Sequence, residues 1–336
     1  MVVLICGMHR SGTSMVARLL HQCGVYLGED KDLIPPAEDN PEGFWEHAGF
    51  RQINEEILKT FGGNWDMPPV FKDNWENSSY LNFIRPQVSD LINQFSKINI
   101  WGWKDPRNSL TLPYWKSLFP ELKIVICLRN PHDVYRSLER RGYSSSVFSY
   151  NLWLSYYQKL LAAADPGTFV VTHFESYFND PRSEIQRVLN FIGVECPKEV
   201  VDDACSTISS GLRNNHSSIS DLLATNPPDE VLKNYKDLCY KAGHIYYLSL
   251  SDKEREALNG MDTDGDMTIE DYQNFVSLLK DEVLQKESQI RNLKDLTKMS
   301  NSEIERLQSE LRSVYSSRSW KLIQKMQSIK AFFLGG

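Results

Sequence analysis

The chain has 336 residues and a mass of 38.8 kDa, which suits one main domain with an appendage. Its 41% hydrophobic and 11% aromatic content excludes wholesale disorder, and a formal net charge of −7 argues against broad, nonspecific nucleic-acid binding. That average hides a basic end: residues 312–336 carry five bases and no acid.

Taken in chain order, Val2 to Cys6 is a continuous apolar run, expected of a strand covered on both faces. Such a run is too short for a signal peptide, and no stretch reaches the length of a membrane span. A cytoplasmic protein is therefore the expectation. Gly7-Met-His-Arg-Ser-Gly-Thr-Ser14 follows, and then Met15, Val16, Leu19, Leu20 and Cys23 recur at helical spacing until Gly24. Further strands are expected at Ile98–Trp103, Leu122–Leu128 and Thr168–Thr172, with helical patterns between them such as Asn151–Ala164. Buried strands separated by helices require parallel crossovers. The fold class predicted is α/β, a three-layer domain of parallel sheet flanked by helices, over residues 1–245.

Between Pro35 and Tyr80 periodicity fades, and two Pro-Pro pairs, Gly62-Gly63 and Trp45, Trp65 and Trp75 appear. An aromatic loop region of this length reads as a lid or binding surface, or else as an insertion packed by its own aromatics. The six cysteines form no CxxC pair and have no histidine partner at metal spacing, so they read as buried thiols, with no metal site implied.

Beyond residue 245 the texture changes. Asp262-Thr-Asp-Gly-Asp266, in a helical linker over 246–275, has the outline of a calcium loop. It lacks the turn glycine (Met267) and the bidentate glutamate (Gln273), so an acidic helix connection is the favoured reading and calcium binding stays open. Over 276–314 a heptad follows: Val276, Val283, Ile290, Thr297, Ile304 and Leu311 at a; Leu279, Lys286, Leu293, Ser300, Leu307 and Val314 at d. Mostly β-branched residues at a and leucine at d predict a parallel coiled coil, hence a homo-oligomer. A long helix folding back on its own domain is the alternative. Residues 315–336 combine Leu322, Met326, Ile329 and Phe333 with Lys321, Lys325 and Lys330, a basic amphipathic helix suited to an anionic membrane surface or to a partner protein.

Two motifs carry chemistry. The Gly7–Ser14 turn, between a buried strand and a helix, aims backbone N–H groups and the helix dipole at one point where a phosphate fits, and Arg10 adds charge. Its spacing is that of a nucleotide-triphosphate loop, yet Thr13 stands where the lysine of G-x-x-x-x-G-K-[ST] belongs, which opposes a kinase. The second motif, Leu128-Arg-Asn-Pro-His-Asp-Val-Tyr-Arg-Ser137, starts a helix with Asn130 as cap and Pro131 at its first position. That start places Arg129 at the sheet edge, with the Ser137 hydroxyl expected to turn back toward its guanidinium and form a second anion pocket. Two such pockets at one sheet edge suit a nucleotide phosphorylated at two places.

With these motifs the sequence resembles the sulfotransferases that use 3′-phosphoadenosine 5′-phosphosulfate (PAPS), over about residues 1–245. The resemblance implies that His9, Arg10, Ser11, Gly12, Thr13 and Ser14 hold the 5′-phosphosulfate, and that Arg129 and Ser137 hold the 3′-phosphate. Thr172-His-Phe-Glu-Ser-Tyr177 and Phe191-Ile-Gly193 are similar to the family's closing strand and helix, and Arg213 adds a cofactor contact by rough position. Asn40-Pro-Glu-Gly-Phe-Trp-Glu46 resembles a segment of the glycan-type branch, which implies Glu46 as the base, with Glu42 second and His47 third. Trp103-Lys-Asp-Pro-Arg107 is similar to an element of the tyrosylprotein branch and implies that Lys104, with Arg10, stabilises the leaving group. A surface ion pair of Lys104 with Asp105 or Glu46 is the alternative.

The function expected is sulfuryl transfer from PAPS to a hydroxyl of a carbohydrate or glycolipid acceptor, with Phe44, Trp45 and Trp65 as stacking faces. The enzyme is expected in the cytoplasm, peripheral on the inner face of a membrane if the basic tail binds lipid. A P-loop nucleotide kinase, and a coiled-coil scaffold with an inactive nucleotide domain, are the alternatives.

Overall fold

A computed structural model describes residues 1–244 except 38, 39, 41, 143, 144, 210, 212 and 214, and beyond them only 298, 302, 304, 306–310 and 313. The chain divides into two compact units, Met1–Thr263 and Asp264–Gly336. In the second, the described residues are helical, and Arg306 pairs with Glu310 one turn on, at 2.7 Å. Ile304 and Leu307, heptad positions a and d, are exposed there. The calcium-like loop and the basic tail lie outside the described residues, as does most of the heptad run.

The first unit is a four-stranded parallel sheet ordered β2-β1-β3-β4: β1 (Val2–Gly7), β2 (Trp101–Lys104), β3 (Lys123–Leu128) and β4 (Phe169–His173). Around it lie α1 (Thr13–Gln22), α2 (Ala48–Thr60), α3 (Arg85–Gln94), α4 (Asn108–Leu118), α5 (Pro131–Glu139), α6 (Ser146–Ala163), α7 (Ser176–Asn179), α8 (Pro181–Ile192), α9 (Lys198–Ser206), α10 (Ile219–Ala224) and α11 (Asp229–Lys241). The apolar runs form strands because both faces are covered; Val3, Leu4, Ile5, Ile124, Val125 and Ile126 are wholly buried. One face packs on α1, α8 and α9 through Val16, Leu19, Leu20, Val188, Leu189, Ile192 and Val201.

The four strands fall at the segments expected from sequence, with β2 beginning later than Ile98 and running on to Lys104. Helix α1 ends where Gly24 turns the chain. The Asn130 carboxamide caps α5, accepting the His132 N–H at 2.9 Å. With β1 central, the carboxyl ends of β1, β2 and β3 open on one edge. They deliver the 8–12 loop, the Lys104–Arg107 turn and Arg129 to a common place.

Candidate active site

The 8–12 loop is built for close approach. At Gly7, φ is 134°, and a Cβ would lie 2.3 Å from the Cys127 carbonyl oxygen of the neighbouring strand. At Gly12, φ is 82°, and a Cβ would strike the Phe174 ring at 2.4 Å. Ser109 fixes the start of the loop by bonding both the N–H and the carbonyl of Gly7, at 3.0 and 3.1 Å. The Tyr157 hydroxyl fixes its middle, lying 2.6 Å from the Cys127 carbonyl and 3.2 Å from Ser11 Oγ. Among the described residues no side chain caps α1, so its first N–H groups keep the dipole's positive end for a ligand.

Arg10 sits in the left-handed region (φ 70°), and this reversal sends neighbouring side chains apart. The Arg10 guanidinium reaches α5, where Nε donates to Ser137 Oγ at 2.8 Å. The His9 ring packs instead on Trp65 and Tyr156, at centroid distances of 4.5 and 5.9 Å. Arg129 donates from Nη1 to the Arg10 carbonyl (3.3 Å) and from Nη2 to the Asn215 carbonyl (2.8 Å), and its guanidinium lies 4.2 Å over the Phe174 ring. Ser137 therefore differs from expectation. Its hydroxyl meets the guanidinium of Arg10, not that of Arg129, because Arg129 is drawn toward the 213–218 segment. Arg10 thus links the two motifs directly. Burial, together with Arg141, Arg129 and Arg140, lowers the Arg10 pKa to about 10.

On the other side of the loop, Lys104 Nζ bonds Glu46 Oε1 at 2.7 Å, both side chains nearly buried. The pairing weighed from sequence as a surface alternative is thus a buried contact at the cleft. Arg107 approaches Glu46 Oε2 at 3.8 Å and pairs with Asp105 (3.0 Å) and Glu55 (3.2 Å). Asp105 also accepts from the Arg107 N–H and from Asn54. Burial pushes the Asp105 carboxyl up, and the Arg107 charge opposes that.

An open cleft joins these parts. Its lining includes His9, Arg10, Gly12, Thr13, Ser14, Glu46, Lys104 and Arg129, and also Glu42, Phe44 and Trp45. Ser14 is reached by the Asn40 carboxamide at 3.4 Å. Glu42 is ion-paired with Arg18 at 2.9 Å. Of the sequence candidates, five do not join the cleft lining: Ser11, His47, Trp65, Ser137 and Arg213. Ser11 is buried, its hydroxyl accepting from Tyr157. The His47 ring caps α2, accepting the Gly49 N–H at 3.2 Å. Arg213 is held by Glu175 (Nε–Oε2 2.7 Å) and stands beside His216. Ser137 lies behind Arg10. The Trp65 ring packs on His9, tilted by 50°.

Sequence reasoning missed Tyr157, Ser109, Asn54 and Asn215. They are polar residues inside helices or loops whose role exists only once the strands bring them under the site, and no local spacing marks them. The Asn215 carboxamide bonds the Asp133 carbonyl, and Ser217 Oγ bonds Asp133 Oδ1 at 2.6 Å, so the 215–217 segment closes over Arg129. Among the described residues no cluster could hold a metal ion and no helix is long and apolar enough to cross a membrane.

Comparison with known proteins gives this arrangement a family. Residues 3–198 match the model described as the sulfotransferase family, a span that includes both loops, Glu46 and Lys104. Two nematode proteins named as protein-tyrosine sulfotransferases are similar over 107 residues. That of Caenorhabditis briggsae is 27% identical (29% of this chain, 38% of the relative), and that of Caenorhabditis elegans is 25% identical (29% and 41%). The matched part thus spans about two fifths of those relatives' length. Among solved structures, the sulfotransferase domain of the Synechococcus PCC 7002 olefin synthase is similar at 13% identity, covering 71% of this chain and 94% of that one, with a TM-score of 0.43. Since the family match runs through more than half of the sequence and through every strand of the sheet, this chain belongs to the sulfotransferase family.

Proposed function

We propose that the protein transfers a sulfuryl group from PAPS to an acceptor hydroxyl. The observation that carries this is the joining of two cationic loops at one sheet edge: Arg10 on Ser137 at 2.8 Å, with Arg129 on the Arg10 carbonyl at 3.3 Å. A nucleotide with phosphates at both ends of its ribose needs two anion sites about a ribose apart, and a triphosphate does not. The residues present fit such a donor. The uncapped start of α1 with Arg10 would hold the 5′-phosphosulfate, and Arg129, near-buried and stacked on Phe174, would hold the 3′-phosphate. Thr13 at the first position of α1 offers no cation to a γ-phosphate, which disfavours the kinase reading.

In the transfer, the acceptor oxygen forms a bond to sulfur as the bond from sulfur to the phosphate oxygen breaks, in line. Charge gathers on the leaving phosphate. Lys104, desolvated at the cleft wall, stabilises that charge together with Arg10. Glu46 takes the hydroxyl proton, its carboxylate held in place by Lys104 and flanked by Arg107. As that proton arrives, Lys104 loses its anionic partner and its charge turns toward the leaving group.

For the acceptor, Phe44 and Trp45 in the cleft lining support a carbohydrate hydroxyl, and the likeness to proteins named as protein-tyrosine sulfotransferases supports a tyrosyl phenol as the second reading. Incubation with ³⁵S-labelled PAPS and, separately, a tyrosine-bearing acidic peptide and a panel of oligosaccharides tests both. Label on either establishes transfer and its class. Thermal melting with 3′,5′-adenosine bisphosphate against ATP–Mg²⁺ tests the nucleotide: at 100 times its dissociation constant the bisphosphate stabilises by about 2.7 kcal/mol. A shift with ATP–Mg²⁺ only would refute the reading.

A further inference from the structure

The His9 imidazole packs on two rings but makes no hydrogen bond among the described residues. Its Nε2 is buried without a hydrogen-bond partner, sealed in the wall formed by Trp65 and Tyr156, yet the residue lines the cleft. Nδ1 is then the nitrogen that can reach a ligand. A sealed N–H without an acceptor is rarer in proteins than a sealed lone pair, so the proton belongs on Nδ1, aimed at an oxygen in the cleft.

Which oxygen follows from the surroundings. The left-handed turn at Arg10 parts the two side chains, so Arg10 goes to α5 and the donor's anion sites, whereas His9 goes to the opposite wall. Burial first, then Arg107, Lys104, Arg141 and Arg10, hold the imidazole pKa well below its ordinary value. The ring is therefore neutral. A sulfonate has charged donors enough here, and a neutral N–H adds little to them. Lys104 and Arg107, the two strongest charged neighbours of His9, are also the two cations that contact Glu46. His9, Lys104 and the proposed proton acceptor Glu46 line the same cleft.

We propose that His9 is an acceptor-side positioning residue, its Nδ1–H donating to the acceptor's hydroxyl oxygen while Glu46 removes that hydroxyl's proton. This rests on the sulfuryl-transfer reading above. It reassigns His9 from the donor loop, where the sequence placed it, to the acceptor. The imidazole exchanges no proton: the hydroxyl proton goes to Glu46, the oxygen bonds sulfur, and the phosphate oxygen leaves.

Two isosteres separate the nitrogens. The carboxamide of His9→Asn stands where Nδ1 stands, and that of His9→Gln where Nε2 stands. The measurements are the dissociation constant of 3′,5′-adenosine bisphosphate by calorimetry, and KM and kcat with whichever probe, the tyrosine-bearing peptide or the oligosaccharide, the wild type labels. We expect the bisphosphate constant to stay within about twofold in both variants, while His9→Gln raises the acceptor KM about tenfold, the loss of one neutral hydrogen bond, and His9→Asn restores most of it. A bisphosphate constant weakened as much as the acceptor KM would overturn the proposal in favour of a donor role, and so would an unchanged KM in His9→Gln. A wild type that binds no bisphosphate refutes the underlying reading instead, before the variants are compared.

Discussion

The Lys104–Glu46 pair joins a buried ion pair to the proposed chemistry, and a double-mutant cycle reads both. The 2.7 Å contact has side-chain exposures of only 2% and 8%. Removing one partner of a buried pair strands the other charge, at about 3–5 kcal/mol. For Lys104→Met the lower end applies, about 3 kcal/mol, because Arg107 at 3.8 Å still faces Glu46. Glu46→Gln should cost about 4 kcal/mol, since Glu46 is the partner holding Lys104 among the described residues. The double variant has no stranded charge at this contact and Arg107 keeps Asp105 and Glu55, so the two losses should overlap by about 2 kcal/mol. Urea unfolding at constant m-value supplies the free energies, and for a unit of this size 3 kcal/mol is a fall of about 6–12 °C in Tm. Both single variants should retain bisphosphate binding and lose sulfuryl transfer. Additivity within about 0.5 kcal/mol would refute the coupling, and wild-type turnover in Lys104→Met would refute its catalytic role.

Other consequences are open to the same instruments. Gly12→Ala forces a Cβ into the Phe174 ring at a φ of 82°, so it should cost about 1–3 kcal/mol and abolish bisphosphate binding; unchanged affinity would show that the loop geometry is dispensable. His244, stacked on His173 at 3.7 Å, has its pKa lowered from 6.5 to about 4, by burial first and then by His216. Its folded form therefore binds fewer protons than the unfolded chain below pH 6.5, and the stability present above that pH is lost as pH falls toward 4. The slope is about 1.4 kcal/mol per pH unit, and His244→Phe, which keeps a ring, should flatten the stability profile over that window by up to about 3 kcal/mol. Parallel profiles for variant and wild type would contradict the assignment.

What the sequence made legible was whatever depends on local pattern. The Val2–Cys6 run, the Gly7 and Gly12 positions and the α1 periodicity together specify strand, loop and helix, and Asn130-Pro131 specifies the start of α5. Parallel pairing followed from strands spaced by helices, but the order β2-β1-β3-β4 did not, because nothing in a run's composition names its neighbour. Side-chain direction was the other gap. Helical spacing placed Ser137 on the correct stripe of α5, yet the guanidinium it meets is decided by the reversal at Arg10 and by the Asn215 carbonyl, 86 residues from Arg129. His47 looked like a reserve base until its ring proved to be the cap of α2. Trp65 looked like a sugar platform, but it backs His9.

The joined loops at the edge of β1 and β3 are most directly tested by titrating 3′,5′-adenosine bisphosphate and 5′-AMP into the wild type and Arg129→Ala. If Arg129 serves the 3′-phosphate, a charge-assisted contact of about 1.5–3 kcal/mol makes the bisphosphate bind about 10- to 150-fold tighter than 5′-AMP in the wild type, and Arg129→Ala erases that preference while leaving 5′-AMP affinity unchanged. Equal affinities in the wild type, or a preference that survives the substitution, would contradict it.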